Sequence, residues 1–264
     1  VGAILAEEGV EVSEEELRRT LLTPLTNYQG GCKIHRRYSV VAKVVGSGVD
    51  TLVIGYSIGS YRLGEEGFKP LETAKESAGA KMFVSEPAKV ELFGRTFGVH
   101  PRGIRGYEWV LVNSDVAVAI ARKAQGGRVF PEVYVTYRSE FLWRVGYVAA
   151  AKEFASWLAI WADVVGVRVS RMDVCVDLAM PMPKLDVTLE VVSRARKKAS
   201  HFQVKSAVEY ITGGQVTGYE FGSDHLVGRI YDKTLEMEVS RKGWFRDVWE
   251  RHGWDGKGTV IRVE

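Results

Sequence analysis

The sequence predicts an α+β fold of curved, largely antiparallel sheets with helices packed against them. Three observations carry that expectation. Short stretches rich in β-branched and aromatic residues recur along the chain with period-two alternation, as at Thr51–Tyr56, Val133–Tyr137 and Val260–Glu264. One long segment, about Glu140–Val164, carries Phe141, Trp143, Tyr147, Phe154, Trp157, Leu158 and Trp161 on a broad apolar face, and rings of that size belong in a core. The two halves of the chain also align weakly with each other. Thr51–Gly59 corresponds to Met172–Ala179, Gly106-Tyr107-Glu108 to Gly218-Tyr219-Glu220, and Val133–Tyr137 to Val260–Glu264. Under that pairing each half is a curved antiparallel sheet with a helix on one face, although chance similarity between strand-rich segments produces the same pattern.

Taken in order, Ser13 and Glu16 form a capping box that opens a peripheral helix ending before Pro24. Strand-like alternation begins near Tyr38–Val45 and returns at Thr51–Tyr56. Residues 62–82 are Gly-rich and charged without a period, which predicts a loop. A pair of strands follows at Lys89–Phe97 and Tyr107–Asn113, then a helix over Asp115–Lys123 stopped by Gly126-Gly127. Val133–Tyr137 is extended, and Ser139 reads as the N-cap of the long helix. In the second half, Arg171–Asp177, Arg229–Lys233 and Val260–Glu264 read as strands, and Lys242–His252 as a short amphipathic helix that packs.

The 264 residues suffice for a substantial core, and 46% hydrophobic and 26% charged residues are ordinary for a soluble globular protein. A formal net charge of +3 does not by itself require a nucleic-acid partner, so the distribution of charge matters more. Cys32 and Cys175 lie far apart and provide neither a disulfide framework nor paired zinc-ligand spacing, which fits a reducing cytoplasm. There is no run of eighteen apolar residues, and Val1–Leu5 is too short for a signal-peptide core, so a soluble, unexported chain without a membrane partner is expected.

Successive side chains of a strand alternate between its faces. Arg229, Tyr231 and Lys233 therefore share one face, Asp173, Cys175 and Asp177 another, and Arg262 and Glu264 lie opposite Ile261 and Val263. A tyrosine, cations and carboxylates from three strands thus meet on one sheet surface, the components of a metal-assisted attack on a phosphodiester. Alone, Tyr231 is an ordinary amphipathic strand residue. Arg229 and Lys233 on its face are expected to ease ionisation of a phenol whose free pKa is about 10. Two carboxylates on one face are costly without a cation, and hard oxygen donors suit Mg²⁺ or Mn²⁺. Asp177 lies about 13 Å along the strand from Asp173, so it joins the same ion only if the strand bends. A salt bridge or a supporting role is its alternative.

The R-x-D-x-x-x-D strand Arg171–Asp177, the string R-I-Y-D-K-x-x-E at Arg229–Glu236 and the closing Arg262-Val263-Glu264 together resemble the Rep_trans family. These are replication initiators of rolling-circle plasmids and related relaxases of conjugative elements. The resemblance covers roughly residues 170–264, with looser similarity at Asp50–Ser60 and Tyr107–Trp143. It implies that Tyr231 nicks DNA and that Asp173, Asp177 and Glu264 are the family's carboxylates. It further implies that the active unit is a homodimer working on origin DNA, single-stranded or extruded as a cruciform, with a host helicase as a further partner. Better-known rolling-circle enzymes hold their metal with two histidines flanking one hydrophobic residue. None of His35, His100, His201, His225 or His252 has such a partner, so a non-HUH, carboxylate-based site is implied.

On this reading residues 1–49 are peripheral, 50–165 form a scaffold and DNA-contacting half, and 166–264 form the catalytic half of one intimately packed unit. Tyr231 attacks a phosphodiester, leaving a 3′-hydroxyl and a 5′-phosphotyrosine that stores bond energy for rejoining. A divalent ion on Asp173 and Glu264 acts as Lewis acid, Arg229 and Lys233 add positive charge, and Glu236 orients Lys233 or takes the phenol proton. The densest positive segment carries Arg194, Arg196, Lys197, Lys198 and Lys205, which suit sequence-blind phosphate contact or, alternatively, a solvated helix end. Three other classes share these residues. A conjugative relaxase uses the same chemistry at another origin, a metal-dependent nuclease activates water without a protein–DNA adduct, and a non-catalytic saddle binds DNA without metal.

Overall fold

The computed structural model describes residues 42–64, 66–80, 88–124, 130–185, 207–223 and 226–264, all within a compact unit spanning Ala42–Glu264. The Ser13 helix and the basic segment Arg194, Arg196, Lys197, Lys198 and Lys205 lie outside the described residues. The fold is α+β, with one 11-stranded antiparallel sheet that does not close into a barrel. Strands β1 (Lys43–Tyr61), β2 (Lys89–Leu92), β3 (Arg95–Val99), β4 (Trp109–Val112), β5 (Val116–Ile120) and β6 (Val133–Tyr137) belong to the first half. Strands β7 (Ala162–Ala179), β8 (Ala207–Thr212), β9 (Gln215–Ser223), β10 (Leu226–Asp232) and β11 (Val260–Val263) belong to the second. Helices α1 (Lys69–Ala80), α2 (Ser139–Val145), α3 (Tyr147–Trp161), α4 (Lys233–Ser240) and α5 (Phe245–Arg251) complete the described elements.

Strand order across the sheet is β2-β3-β4-β5-β6-β1-β7-β11-β10-β9-β8. Read outward from the central β1/β7 pair, one side runs β6, β5, β4, β3, β2 and the other β11, β10, β9, β8. Each central strand is flanked by the last strand of its own half, and the earlier strands follow in reverse order. The segments aligned by the internal repeat occupy corresponding places on the two sides, β1 with β7, β6 with β11 and β4 with β9, in one continuous sheet and not in a separate sheet for each half. The halves join by the long antiparallel β1/β7 ladder, whose register shifts at five places.

Several elements differ from the sequence expectation, for local reasons. The described part of the expected strand Tyr38–Val45 and the expected strand Thr51–Tyr56 belong to one strand of 19 residues, because the intervening Gly46, Ser47, Gly48 and Val49 pair with β7 and Asp50 is taken up in a bulge. Residues 62–82 contain α1, which buries Leu71, Ala74 and Ala78 despite its charged composition. The helix expected over Asp115–Lys123 is instead β5. Asn113 Oδ1 accepts the backbone N–H groups of Asp115 and Val116, turning the chain so that Val116, Val118 and Ile120 face the core. The long helix breaks at Gly146, whose φ of 82° and ψ of 146° are essentially restricted to glycine, and it ends at Trp161. Arg138, not Ser139, occupies its N-cap position. The segment Lys89–Phe97 is a hairpin with Phe93 and Gly94 at its turn, both at positive φ.

Two apolar clusters result. In the first half α3 buries Phe154, Trp157, Leu158 and Trp161 against Tyr56, Tyr137 and Phe97. In the second, α4 and α5 bury Met237, Phe245 and Trp249 with Trp254 against Val45 and Val260. No described helix is long and apolar enough to cross a membrane.

Candidate functional site

The second half assembles its polar face from paired rows that cross the strands. Tyr231 of β10 lies opposite Arg262 of β11, and Arg262 lies opposite Asp177 of β7, which is opposite Gly46 of β1. On the other side Tyr231 lies opposite Gly218 of β9, and Gly218 opposite Tyr210 of β8. Directly paired residues point to the same face, so this single row carries the two phenols, the guanidinium and the carboxylate. In the next row Glu220 is opposite Arg229, and Arg229 exchanges both backbone hydrogen bonds with Glu264. Pairing by strand register thus confirms the shared face of Arg229, Tyr231, Arg262 and Glu264 that the alternation predicted.

The row divides into a sealed part and an open part. Arg262 is wholly buried: its Nε and Nη2 donate to Asp177 at 2.6 and 2.8 Å, and Nη1 donates to Asp50 at 2.5 Å. Its guanidinium stacks near Phe245 and Trp143, with 4.6 and 5.3 Å to the ring centroids. Trp143 reaches this position because Gly46 and Gly48 present no side chains beneath it. Trp249 Nε1 donates to Asp177 Oδ2 at 2.9 Å. Asp177, one of the expected metal ligands, is therefore wholly buried with both oxygens engaged, and the salt-bridge alternative is what the fold builds. The strand does not bring it to Asp173, because Asp177 lies under Trp249 of α5 while Asp173 lines the open cleft.

The open part is a cleft of about 400 Å³ lined by Asp50, Asp173, Arg229, Tyr231, Glu264 and neighbouring side chains. Tyr231 Oη donates to Glu264 Oε2 at 3.2 Å, and Arg229 Nη1 lies 3.5 Å from Glu264 Oε1. Asp173 is gripped by Arg171, whose Nε and Nη2 reach its oxygens at 2.5–2.9 Å. Lys233 is buried at the start of α4, with Nζ 2.5 Å from Glu236 Oε2 and above the Phe245 and Tyr231 rings. Asp232 caps the same helix by accepting from Leu235 N. Of the two roles expected for Glu236, orientation of Lys233 matches its position, and the carboxylate next to the phenol is Glu264.

The electrostatics reverse one expectation. Burial raises the Tyr231 pKa well above its usual value; Arg262 opposes this, but Glu264, Asp50 and Glu236 add to it. The phenol is therefore held protonated, not eased toward phenolate by Arg229 and Lys233. Glu264 is raised too, first by burial and then by the Asp173 and Asp50 carboxylates. Burial also works against Asp50, yet Arg262, Lys233 and the Ser139 hydroxyl outweigh it and keep that carboxyl below its ordinary range. A protonated phenol beside a carboxylate with enhanced proton affinity is a donor–acceptor pair suited to general-base activation.

Among the described residues no group of three His, Cys, Asp or Glu side chains is arranged to hold a metal ion. The residue types could hold one: Asp173 and Glu264 offer hard oxygen donors, each now engaged by an arginine, and burial together with Asp173 and Asp50 raises the Glu264 carboxyl. Asp50, Tyr210 and Glu220 escaped the sequence reading. Asp50 sits at a β1 bulge between Val49 and Thr51, where period-two counting loses register. Glu220 lay within the repeat alignment, but nothing local tied it to Arg229. Compared with known proteins, the chain matches no family model and no curated protein.

Proposed function

We propose that this protein is a DNA nicking and strand-joining enzyme of the rolling-circle replication initiator type, with Tyr231 as nucleophile. The observation that carries the reading is the Tyr231 hydroxyl donating to Glu264 at 3.2 Å in a cleft that also holds Asp173 and Arg229. The resemblance of Arg229–Glu236 and Arg262–Glu264 to the Rep_trans motifs supports the same assignment.

On this reading Glu264 takes the phenolic proton as Tyr231 Oη attacks the scissile phosphorus. The bond to O3′ breaks, the leaving 3′-oxygen takes a proton from solvent to become the 3′-hydroxyl, and the downstream strand stays attached as a 5′-phosphotyrosine. Arg229, spanning Glu220 and Glu264, supplies fixed positive charge to the phosphate oxygens. Lys233, clamped by Glu236 over the Tyr231 ring, positions that ring and contributes charge from its face. Asp173 and Glu264, with Asp50 beside them, would hold Mg²⁺ or Mn²⁺, which when bound supplies Lewis acidity at the phosphate. Arg171 must then release Asp173, since it occupies both oxygens. Arg194, Arg196, Lys197, Lys198 and Lys205 are proposed to grip the DNA backbone, and a homodimer on origin DNA with a host helicase remains part of the proposal.

The test compares wild type with Tyr231→Phe on supercoiled DNA and single-stranded oligonucleotides in Mn²⁺. Nicking and the covalent adduct are expected to fall by at least about a thousand-fold in the variant, while anisotropy reports retained DNA binding. A wild-type enzyme that cuts without any protein–DNA adduct would replace this reading with water-activating nuclease chemistry. Nicking retained by Tyr231→Phe would refute the assignment.

A further inference from the structure

Tyr210 repeats the arrangement around Tyr231 on the other side of a single arginine. Tyr210 Oη donates to Glu220 Oε2 at 3.2 Å, and Arg229 Nε donates to the same oxygen at 3.1 Å. Across the guanidinium, Arg229 Nη1 meets Glu264 Oε1 at 3.5 Å while Tyr231 Oη donates to Glu264 Oε2 at 3.2 Å. Two phenols thus each carry their own carboxylate, and the two carboxylates share one cation.

Strand register sets the phenols on the same face. Tyr210 and Tyr231 are both paired with Gly218, on strands either side of it, so their backbones lie about 10 Å apart at about 4.8 Å per strand spacing. A Cβ at position 218 would lie 3.1 Å from Tyr231 Cβ and 3.5 Å from Tyr210 Cδ2, so glycine is what lets the two tyrosine side chains close in on each other across β9. The environments differ. Tyr231 is half-buried and lines the cleft with Asp173, whereas Tyr210 is 48% exposed on β8, the edge strand among the described residues.

We propose that Tyr210 is a second nucleophile, which accepts a DNA strand in the closing half-reaction within one protomer. This rests on the assignment of Tyr231 as the first. With the downstream strand held on Tyr231, Tyr210 Oη attacks a second phosphodiester, its proton passes to Glu220, and the P–O3′ bond breaks to release a new 3′-oxygen. That 3′-oxygen attacks the phosphorus of the Tyr231 adduct. The P–Oη bond of Tyr231 breaks, the phenol recovers a proton from Glu264, and the two DNA ends are joined. One phosphotyrosine and one phosphodiester are exchanged for one phosphodiester and one phosphotyrosine, now on Tyr210, with no external energy source.

The experiment incubates the full chain with a randomised single-stranded DNA pool in Mn²⁺, trims the bound DNA with nuclease, digests with trypsin and locates the nucleotide tag by mass spectrometry. Cleavage after Lys205, Arg229 and Lys233 places Tyr210 and Tyr231 on different peptides, Ser206–Arg229 and Ile230–Lys233. Tags on both peptides are expected, with that on Ser206–Arg229 lost in Tyr210→Phe. A tag confined to Ile230–Lys233 overturns the proposal for Tyr210 and leaves Tyr231 standing. A tag on Ser206–Arg229 that survives Tyr210→Phe also overturns it, since Tyr219 shares that peptide. No tag on either peptide removes both assignments together.

Discussion

Asp177 and Arg262 form an ion pair that solvent does not reach, and both Asp177 oxygens are committed to it and to Trp249. Removing one member of a buried pair strands the other charge, so Asp177→Ala is expected to cost about 3–5 kcal/mol in urea denaturation. Asp50 adds a pH-dependent contribution. Its folded pKa is depressed, so its stabilisation is present above the ordinary carboxylate pKa and is lost as pH falls below that toward the folded value. The stability gap between wild type and Asp50→Asn should therefore be full at pH 7 and close below about pH 4, as followed by denaturation across pH; a gap that persists undiminished into strong acid contradicts this account. Burial pushes the Cys175 thiol up to about 12, so it is expected to resist disulfide-exchange reagents at pH 8 in folded Cys32→Ser protein and to react on unfolding.

At the scale of elements, two glycines shape the site. Gly146 separates α2 from α3, turning Trp143 onto Arg262 while α3 packs on the first half. Its backbone conformation penalises any Cβ, so Gly146→Ala is expected to lower stability by about 1–3 kcal/mol, visible as a reduced Tm. Gly218 spaces the two tyrosines. A Cβ there also meets Ile230 O at 3.3 Å, so Gly218→Ala must push β10 or the Tyr231 ring aside. A lower yield of the Tyr231 adduct with largely retained Tm is the expected outcome, and an unaltered yield argues that the spacing is immaterial.

For the whole molecule, the mirrored strand order makes the first half a sealed counterpart of the second. Where Glu264 after β11 lines an open cleft, its counterpart Tyr137 in β6 shares a hydrogen bond with Tyr56 beneath α3, and burial raises both phenols. One sheet passes through both halves by way of β1 and β7, so they are expected to unfold together. Tryptophan fluorescence and far-UV circular dichroism should give coincident denaturation curves, since Trp109, Trp157 and Trp161 report one cluster and Trp249 and Trp254 the other. Separated transitions would show that the halves are independent domains.

Period-two alternation made the chemistry-bearing faces of β7, β10 and β11 legible from residue types alone. Those features are local: the pleat dictates which side chains share a side whatever the rest of the chain does. The strand at Val116–Ile120, the break at Gly146, the recruitment of Asp50 at a bulge and the burial of Asp177 under Trp249 were not legible. Each depends on which distant segment covers or pairs with the residue, and an identical carboxylate becomes a core ion pair or a cleft donor according to that cover. The α+β class and the shared polar face of Arg229, Tyr231, Arg262 and Glu264 follow from the order of residues, whereas the protonation of Tyr231 and its pairing with Glu264 arise from burial and strand register, which long-range packing alone creates.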